Sequence, residues 1–100
     1  MSETIELVRF SVHPDRRDEF LRDRPGAIAA LREAFPGLIE ARLAELEDGT
    51  WIDVVRWRSK AEAETAAAEC STIPVVRDWM ATIAEVQEFT HATVRDAVLA

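Results

Sequence analysis

Three side chains in this 100-residue sequence are suited to acid–base chemistry: His91, Arg9 and Asp53. An imidazole changes charge near neutral pH, which makes His91 the predicted base. Arg9 lies among apolar neighbours, where a guanidinium needs an anion, so it could hold the anion that a base creates. Asp53, between Trp51 and Val55, could orient either of the other two. Together they would remove a weakly acidic proton from a bound substrate and hold the product anion.

Each of these residues also has a structural interpretation, and the sequence leaves both interpretations open. His91 could be a strand histidine that is hydrogen-bonded to backbone or to a carboxylate of a partner chain. Arg9 could form an ion pair with Asp53 or Glu40. Asp53 could likewise be one half of a buried ion pair.

The three tryptophans are predicted to line a cavity that binds a flat aromatic molecule. They are Trp51, Trp57 and Trp79. The alternative is that each is a core or interface residue whose indole N–H finds a single partner.

Other kinds of site find little support in the sequence. Cys70 is the only cysteine, so an internal disulfide and a thiolate metal site are excluded, and it is expected to be a small buried or half-buried filler. Two distant histidines do not form a metal-binding motif, and three glycines offer no phosphate-binding loop. No metal and no nucleotide cofactor are therefore expected.

Composition restricts the class of partner. A net charge of −7 would repel nucleic acid and anionic lipid, and no basic cluster offsets it. The hydrophobic content of 48% fits one folded domain over residues 1–100. The first residues are acidic where a secretory signal would be basic, and no apolar run approaches the roughly 18 residues of a membrane span. A cytoplasmic protein is expected.

The first half of the chain predicts a strand and a helix. Residues 4–12 alternate in the manner of a strand, and Pro14 is typical of a first helical turn. The helix is expected to end at Pro36. Pro25 lies within it, and because proline lacks an amide N–H and crowds the preceding turn, a kink or a break into two helices is predicted there.

A hairpin follows. Residues 38–46 and 50–58 are the predicted arms, joined at Asp48 and Gly49 by a two-residue type I′ turn, which needs positive φ at both positions. In the second arm, alternation places four residues on one face: Trp51, Asp53, Val55 and Trp57.

The last third predicts two helices and a strand. Ser59 and Glu62 form an S-x-x-E capping box, which marks a helix start. A shorter helix is expected to restart near residues 72–74, and a last strand to run over residues 85–95. The helical stripe assigned to the shorter helix is Val76, Trp79, Met80 and Ile83.

The order strand, helix, strand, strand, helix, strand predicts a ferredoxin-like α+β fold: a split βαβ plan with a four-stranded antiparallel sheet and helices on one face. The strands carry large apolar residues on both faces, so helices alone cannot cover the sheet. A homodimer that packs sheet face against sheet face is predicted, because burial of even ~1,000 Å² at ~25 cal/mol per Å² is a large stabilisation.

In these features the chain resembles the antibiotic biosynthesis monooxygenase-like domains of the dimeric α/β-barrel superfamily. The matching stretches are Trp51-x-Asp53-x-x-x-Trp57-x-Ser59, Phe35-Pro36-Gly37 and Phe89-Thr90-His91. The resemblance covers essentially the whole chain. It implies a dimeric α/β barrel, a cavity between sheet and helices, and oxygenase chemistry.

The departures from this family restrict the chemistry. Its haem-degrading members use Asn, Trp and His, whereas this chain has no Asn, and Arg9 and Ala66 stand near the positions of their Asn and Trp. The members that form polyketide quinones use Asn, Trp and Tyr, and Tyr is also absent. Haem degradation is therefore not expected, and no catalytic residue carries over.

The function predicted is a cofactor-independent monooxygenase acting on a small hydrophobic aromatic or quinol-like compound. Such chemistry needs an acidic substrate, a base, a group that holds the anion, and a dry apolar pocket. Two alternatives stay open. One is a non-catalytic dimeric domain that binds a small molecule, and the other is an isomerase or cyclase that uses His91 and a carboxylate.

Overall fold

The computed structural model describes residues 2–99 and places helices on one face of a four-stranded antiparallel sheet. The strand order is β2-β3-β1-β4. The predicted ferredoxin-like α+β fold is confirmed. The elements are β1 (Thr4–Val12), α1 (Arg17–Ala34), β2 (Leu38–Glu45), β3 (Trp51–Trp57), α2 (Lys60–Glu69), α3 (Pro74–Met80) and β4 (Ile83–Thr93), with single 3-10 turns at Pro14–Arg16 and Cys70–Thr72.

Helix α1 continues through Pro25, so the predicted break into two helices is wrong. Phe20 and Ala27 lie on either side of the proline and are both fully buried. Helix α1 also packs against α3. Tertiary packing on both sides of the proline therefore holds the helical conformation against the loss of one hydrogen bond.

The hairpin between β2 and β3 is real, but its turn is not type I′. Gly49, with φ of 88°, is the one residue with positive φ within 2–99. The Asp48 carboxylate accepts hydrogen bonds from the backbone N–H (2.9 Å) and the hydroxyl (2.6 Å) of Thr50. This local bonding suits a negative φ at Asp48, and the strands are joined by a three-residue loop closed by Leu46 N–H and Thr50 O at 2.7 Å.

Half of the predicted capping box at the start of α2 is present: the Ser59 hydroxyl caps a backbone N–H, whereas the Glu62 carboxylate bonds to the side chains of Ser59 and Arg58. The Ser59 hydroxyl oxygen accepts from the Glu62 backbone N–H at 3.3 Å, and the hydroxyl donates to the Glu62 carboxylate at 3.1 Å. Arg58 also donates to this carboxylate. Together these bonds fix the point at which β3 gives way to α2.

Helix α3 ends earlier than its apolar spacing suggested. The hydroxyl of Thr82, which is fully buried, donates to the Trp79 carbonyl at 2.6 Å and closes the last turn. Ile83 therefore begins β4, and its assignment to the helical stripe is wrong. Ile83 lies seven positions after Val76, which fits a helical stripe, but an apolar residue at this position fits the start of a strand equally well.

The face of the sheet under the helices, called the covered face below, holds the core. Phe20 lies at its centre, with ring centroids 5.7 Å from Phe10, 5.2 Å from Trp51 and 5.4 Å from Trp79. The Trp79 indole N–H donates to the Phe20 carbonyl at 3.1 Å. A second cluster under α2 contains Leu38, Val55, Trp57, Ala63 and Ala66.

The opposite face, called the open face below, has an apolar centre. Alternation places Ile5, Leu7, Ile52 and Val54 there, and each is half-buried. Two groups of ion pairs border this centre. They are Arg9 with Asp48 at 2.7 Å, and Arg56 with Glu3 at 3.0 Å and Glu40 at 3.1 Å.

Candidate active site

A cavity of about 380 Å³ lies between the covered face and the helices. Its walls are mainly apolar and include Val8, Leu31 and Val55. Val86 and Phe89 border it and are each about half exposed, at 52% and 50%, so they mark its opening to solvent. The volume is within the range of small-molecule sites in proteins, which is roughly 300–1,000 Å³.

Glu6 brings a carboxyl group into this apolar cavity. Pairing of β1 with its two neighbours places Glu6 between Val55 of β3 and His91 of β4. The residue is only 9% exposed, and it lines the cavity. Burial raises the pKa of the Glu6 carboxyl above its ordinary value, and the nearby His91 and the Trp57 indole lower that pKa by a smaller amount.

Two ring nitrogens beside Glu6 lack a hydrogen-bond partner among residues 2–99. His91 Nε2 lies 3.6 Å from Glu6 Oε2, which is longer than a hydrogen bond. The Trp57 Nε1–H is close enough to influence the carboxyl, but its geometry also falls outside that of a hydrogen bond. Buried polar atoms usually have a hydrogen-bond partner, so this cluster holds two ring nitrogens that can still form a hydrogen bond.

Asp53 is the second carboxylate of the cavity wall, and it is held by Arg24. The guanidinium makes two hydrogen bonds, Nη1 to Oδ2 at 2.6 Å and Nη2 to Oδ1 at 2.9 Å. Both side chains are about nine-tenths buried. The guanidinium carbon also lies 5.7 Å from the centre of the Trp79 ring. Of the two interpretations of Asp53, the structure supports the buried ion pair, and the partner, Arg24, lies on α1.

Arg9 lies on the open face and does not meet His91 or Asp53. Its Nη2 donates to Asp48 at 2.7 Å, so the expected pairing with Asp53 or Glu40 is wrong. The reason is the register: Asp53 lies opposite Val8, the neighbour of Arg9, and therefore points to the other side of the sheet.

The tryptophans divide between cavity and core. Trp57 and Trp79 line the cavity. Trp51 packs on Phe20 instead, and the Arg17 guanidinium lies 5.4 Å from its ring centre. Trp51 thus lies outside the cavity wall and matches the core alternative.

Sequence reasoning missed two polar residues of the site, Glu6 and Arg24. Both had a usable signal. Glu6 shares its strand face with Val8 and Phe10, and Arg24 follows Phe20 by four residues, on the apolar stripe of α1. A charged residue on a stripe that must be buried indicates a paired or perturbed charge.

Cys70 also lines the cavity and is half-buried. Burial and the neighbouring Glu6 both raise the pKa of its thiol. Within residues 2–99 no cluster of three or more His, Cys, Asp or Glu side chains could hold a metal ion. None of the helices described is both long and apolar enough to cross a membrane.

The fold has several solved counterparts. SnoaB, a cofactor-independent oxygenase from Streptomyces nogalater, is 20% identical with a TM-score of 0.75, over 98% of both chains. Rv0793 from Mycobacterium tuberculosis is 22% identical with a TM-score of 0.62, over 99% of both chains. A dimeric ferredoxin-like protein from an uncultured marine organism is 11% identical with a TM-score of 0.70, over 100% of this chain and 94% of its own.

No curated protein matches the sequence. A sequence profile described as antibiotic biosynthesis monooxygenase does match, over residues 4–69. That span runs from β1 to the end of α2 and contains Glu6, Asp53 and Trp57 of the cavity wall, together with Arg24, the partner of Asp53. The profile matches more than half of the chain, and the chain belongs to the antibiotic biosynthesis monooxygenase family.

Proposed function

We propose that this protein is a cofactor-independent monooxygenase that acts on a small hydrophobic aromatic or quinol-like compound. The observation that carries this proposal is the buried Glu6 carboxyl at an apolar cavity of about 380 Å³, with the half-buried imidazole of His91 beside it. Such chemistry needs a base in apolar surroundings. The similarity in fold to SnoaB, described as a cofactor-independent oxygenase, supports the proposal.

With an anthrone as substrate, the proposed reaction converts its activated CH₂ group and O₂ into a carbonyl group and water; a quinol loses an O–H proton and a ring C–H proton in the same two steps. The Glu6 and His91 pair removes one proton from the substrate, whose electron pair stays behind as a delocalised carbanion. The carbanion gives one electron to O₂, and the resulting radicals combine in a C–O bond to form a peroxide. The first proton returns to the peroxide. Loss of the second C–H proton then forms the C=O bond as the O–O bond breaks, and the departing hydroxide takes up that second proton and leaves as water.

The other cavity residues have supporting roles in this proposal. Trp57 and Trp79 offer flat apolar surface to an aromatic ring. Asp53 is fixed by Arg24 and shapes the end of the cavity near α1. Arg9 and Trp51 lie outside the cavity and have no part in the reaction.

We also propose that two copies pair through their open faces. Support comes from the half-buried apolar centre formed by Ile5, Leu7, Ile52 and Val54, which water would otherwise wet. Charged residues border this centre, as in the rim of an interface. One protein of the same fold is described as dimeric. The cytoplasmic location expected from the sequence stays a prediction.

Oxygen consumption tests the function. We expect the protein to consume O₂ with anthrone or a substituted hydroquinone, and with ¹⁸O₂ to place one labelled atom in the product of anthrone and one in water. His91→Ala should lower the rate, whereas Glu33→Gln, an exposed change on α1, should not. An absence of oxygen uptake across both substrate classes would refute the oxygenase.

Two other outcomes identify the alternatives. Product formed at the same rate without oxygen would indicate an isomerase or cyclase, because proton transfer alone needs no oxidant. Saturable binding without any turnover would indicate a non-catalytic binding domain.

A further inference from the structure

Within the polar cluster, Glu6 and His91 have different access to the cavity. The Glu6 carboxyl is part of the cavity wall. His91 lies outside the wall, with its Nε2 atom 3.6 Å from Glu6 Oε2 and its ring in an edge-to-face contact with Phe89 at a centroid distance of 5.4 Å. A molecule in the cavity therefore meets the carboxyl of Glu6 before it meets the imidazole.

The charged groups around Glu6 disfavour an anion in the cavity. Asp53 of β3 is a second carboxylate, and Arg24 of α1 already gives both of its terminal nitrogens to Asp53. The remaining titratable neighbours are His91 of β4 and the Cys70 thiol after α2. No arginine or lysine of the described chain lines the cavity. An anionic ligand would thus lie beside Glu6 in apolar surroundings without a free cation.

The unpaired Trp57 N–H completes the site. The N–H is buried beside Glu6, it belongs to a residue that lines the cavity, and it has no acceptor among residues 2–99. Such a donor is suited to an oxygen atom that gains negative charge during the reaction, because it strengthens as the charge develops.

From this arrangement we propose that Glu6 touches the substrate and accepts its proton, that His91 is a positioning residue for Glu6, and that the cavity selects uncharged aromatic compounds with a hydroxyl group or an acidic C–H. The proton transfer rests on the proposed oxygenase function, whereas the selection of uncharged ligands does not. In the transfer, the O–H or C–H bond of the substrate breaks, its electron pair stays on the substrate, and a new O–H bond forms on the Glu6 carboxylate. The Trp57 N–H donates to the resulting anion.

Ligand binding tests the selection without any need for turnover. Isothermal titration calorimetry would compare 2-naphthol with 2-naphthoate, which share one ring system and differ in charge at neutral pH. We expect the protein to bind 2-naphthol at least about tenfold more tightly. Glu6→Gln should gain affinity for 2-naphthoate and reduce the difference to about threefold or less, since it removes the repelling charge. Glu33→Gln should behave as the unmodified protein.

Kinetics test the proton acceptor. Glu6→Gln should lower kcat/KM by about 10²- to 10⁴-fold, the usual contribution of a general base. Glu6→Asp should restore part of this loss. His91→Ala should keep measurable turnover and move the acidic limb of the kcat/KM profile to higher pH, because His91 lowers the pKa of Glu6. A residue with a merely structural role would not move that limb.

The outcomes separate the two proposals. Equal affinity of the unmodified protein for 2-naphthol and 2-naphthoate would overturn the selection. Full activity of Glu6→Gln together with complete loss in His91→Ala would make His91 the base and overturn the assignment of Glu6, while the oxygenase would stand. Selection for 2-naphthol that depends on Glu6, without any oxygen uptake, would refute the oxygenase and support Glu6 as the contact residue.

Discussion

The two faces of the sheet hold their charged residues in opposite ways. On the covered face, Glu6 and Asp53 are 9% and 6% exposed, one without a hydrogen-bonded cation and one locked to Arg24. On the open face, Arg56 and its partners Glu3 and Glu40 keep about a third of their side-chain surface exposed. Water can still stabilise the open-face charges, whereas the covered-face charges depend on the protein alone. Reactivity is therefore expected on the covered face and association on the open face.

Removal of Arg24 should have the largest effect on stability. Arg24→Met leaves Asp53 buried without its cation, and we expect the free energy of unfolding to fall by about 3–5 kcal/mol. Urea denaturation would measure it. The double variant Arg24→Met, Asp53→Leu should recover most of the loss, because both charges are then gone.

Arg17 provides a matched control. It also lies on α1 and also contacts a tryptophan ring, but its ion pair with Glu45 is about half exposed. Arg17→Met should cost no more than about 1 kcal/mol. Equal losses in Arg17→Met and Arg24→Met would show that burial does not decide how much an ion pair of α1 contributes to stability.

The open face can be tested at Val54. We expect Val54→Lys to weaken the proposed homodimer at least about 100-fold, or roughly 2.8 kcal/mol, because a lysine is placed in an apolar interface. Sedimentation equilibrium would measure the dissociation constant. The neighbouring change Val55→Ala acts on the covered face, so it should leave association unchanged and lower stability by about 2 kcal/mol. A monomeric unmodified protein at micromolar concentration would contradict the pairing.

Glu6 should give stability a measurable dependence on pH. Because burial raises its pKa above the ordinary value of 4.5, the folded protein holds this proton at pH values where the unfolded chain has lost it. Stability should therefore fall, relative to Glu6→Gln, as the pH rises from 4.5 through the folded pKa, by at most about 1.4 kcal/mol per pH unit. Denaturation of both proteins across this range would test it. A constant difference, or one of opposite sign, would show that Glu6 is not perturbed by burial.

Arg9 should give the smallest effect. Its ion pair with Asp48 is about half exposed, so Arg9→Ala should cost about 0–1 kcal/mol and leave kcat/KM unchanged. Parallel measurements of unfolding and oxygen uptake would check both values. A loss of kcat/KM of tenfold or more would restore the catalytic role predicted from the sequence.

Local patterns in the sequence predicted the elements well, because their causes are local. The alternation of β1 and β3 and the capping box at Ser59 depend on residues close in the chain. The predicted break at Pro25 and the predicted turn type at Asp48 were wrong, since tertiary packing keeps α1 continuous and side-chain bonding decides the turn; a kink at Pro25 stays a prediction.

The site was harder to predict, because it depends on the pairing register between strands. Arg9 and Asp53 each lie among apolar neighbours, yet nothing in the sequence fixes which residue of β3 faces Arg9. The same uncertainty hid Glu6, whose position beside His91 is set by the pairing of β1 with β4. The partner of Asp53 comes from a helix 29 positions earlier, a contact that only the assembled fold creates.

The single thiol of the chain has a practical consequence. Cys70 borders the cavity and is the single cysteine of the chain, so its rate of alkylation should report whether a ligand occupies the cavity. Mass spectrometry could follow this rate in the unmodified protein with one candidate compound at a time. Compounds that bind in the cavity would slow the alkylation of the thiol, and this effect would rank them before any reaction has been found.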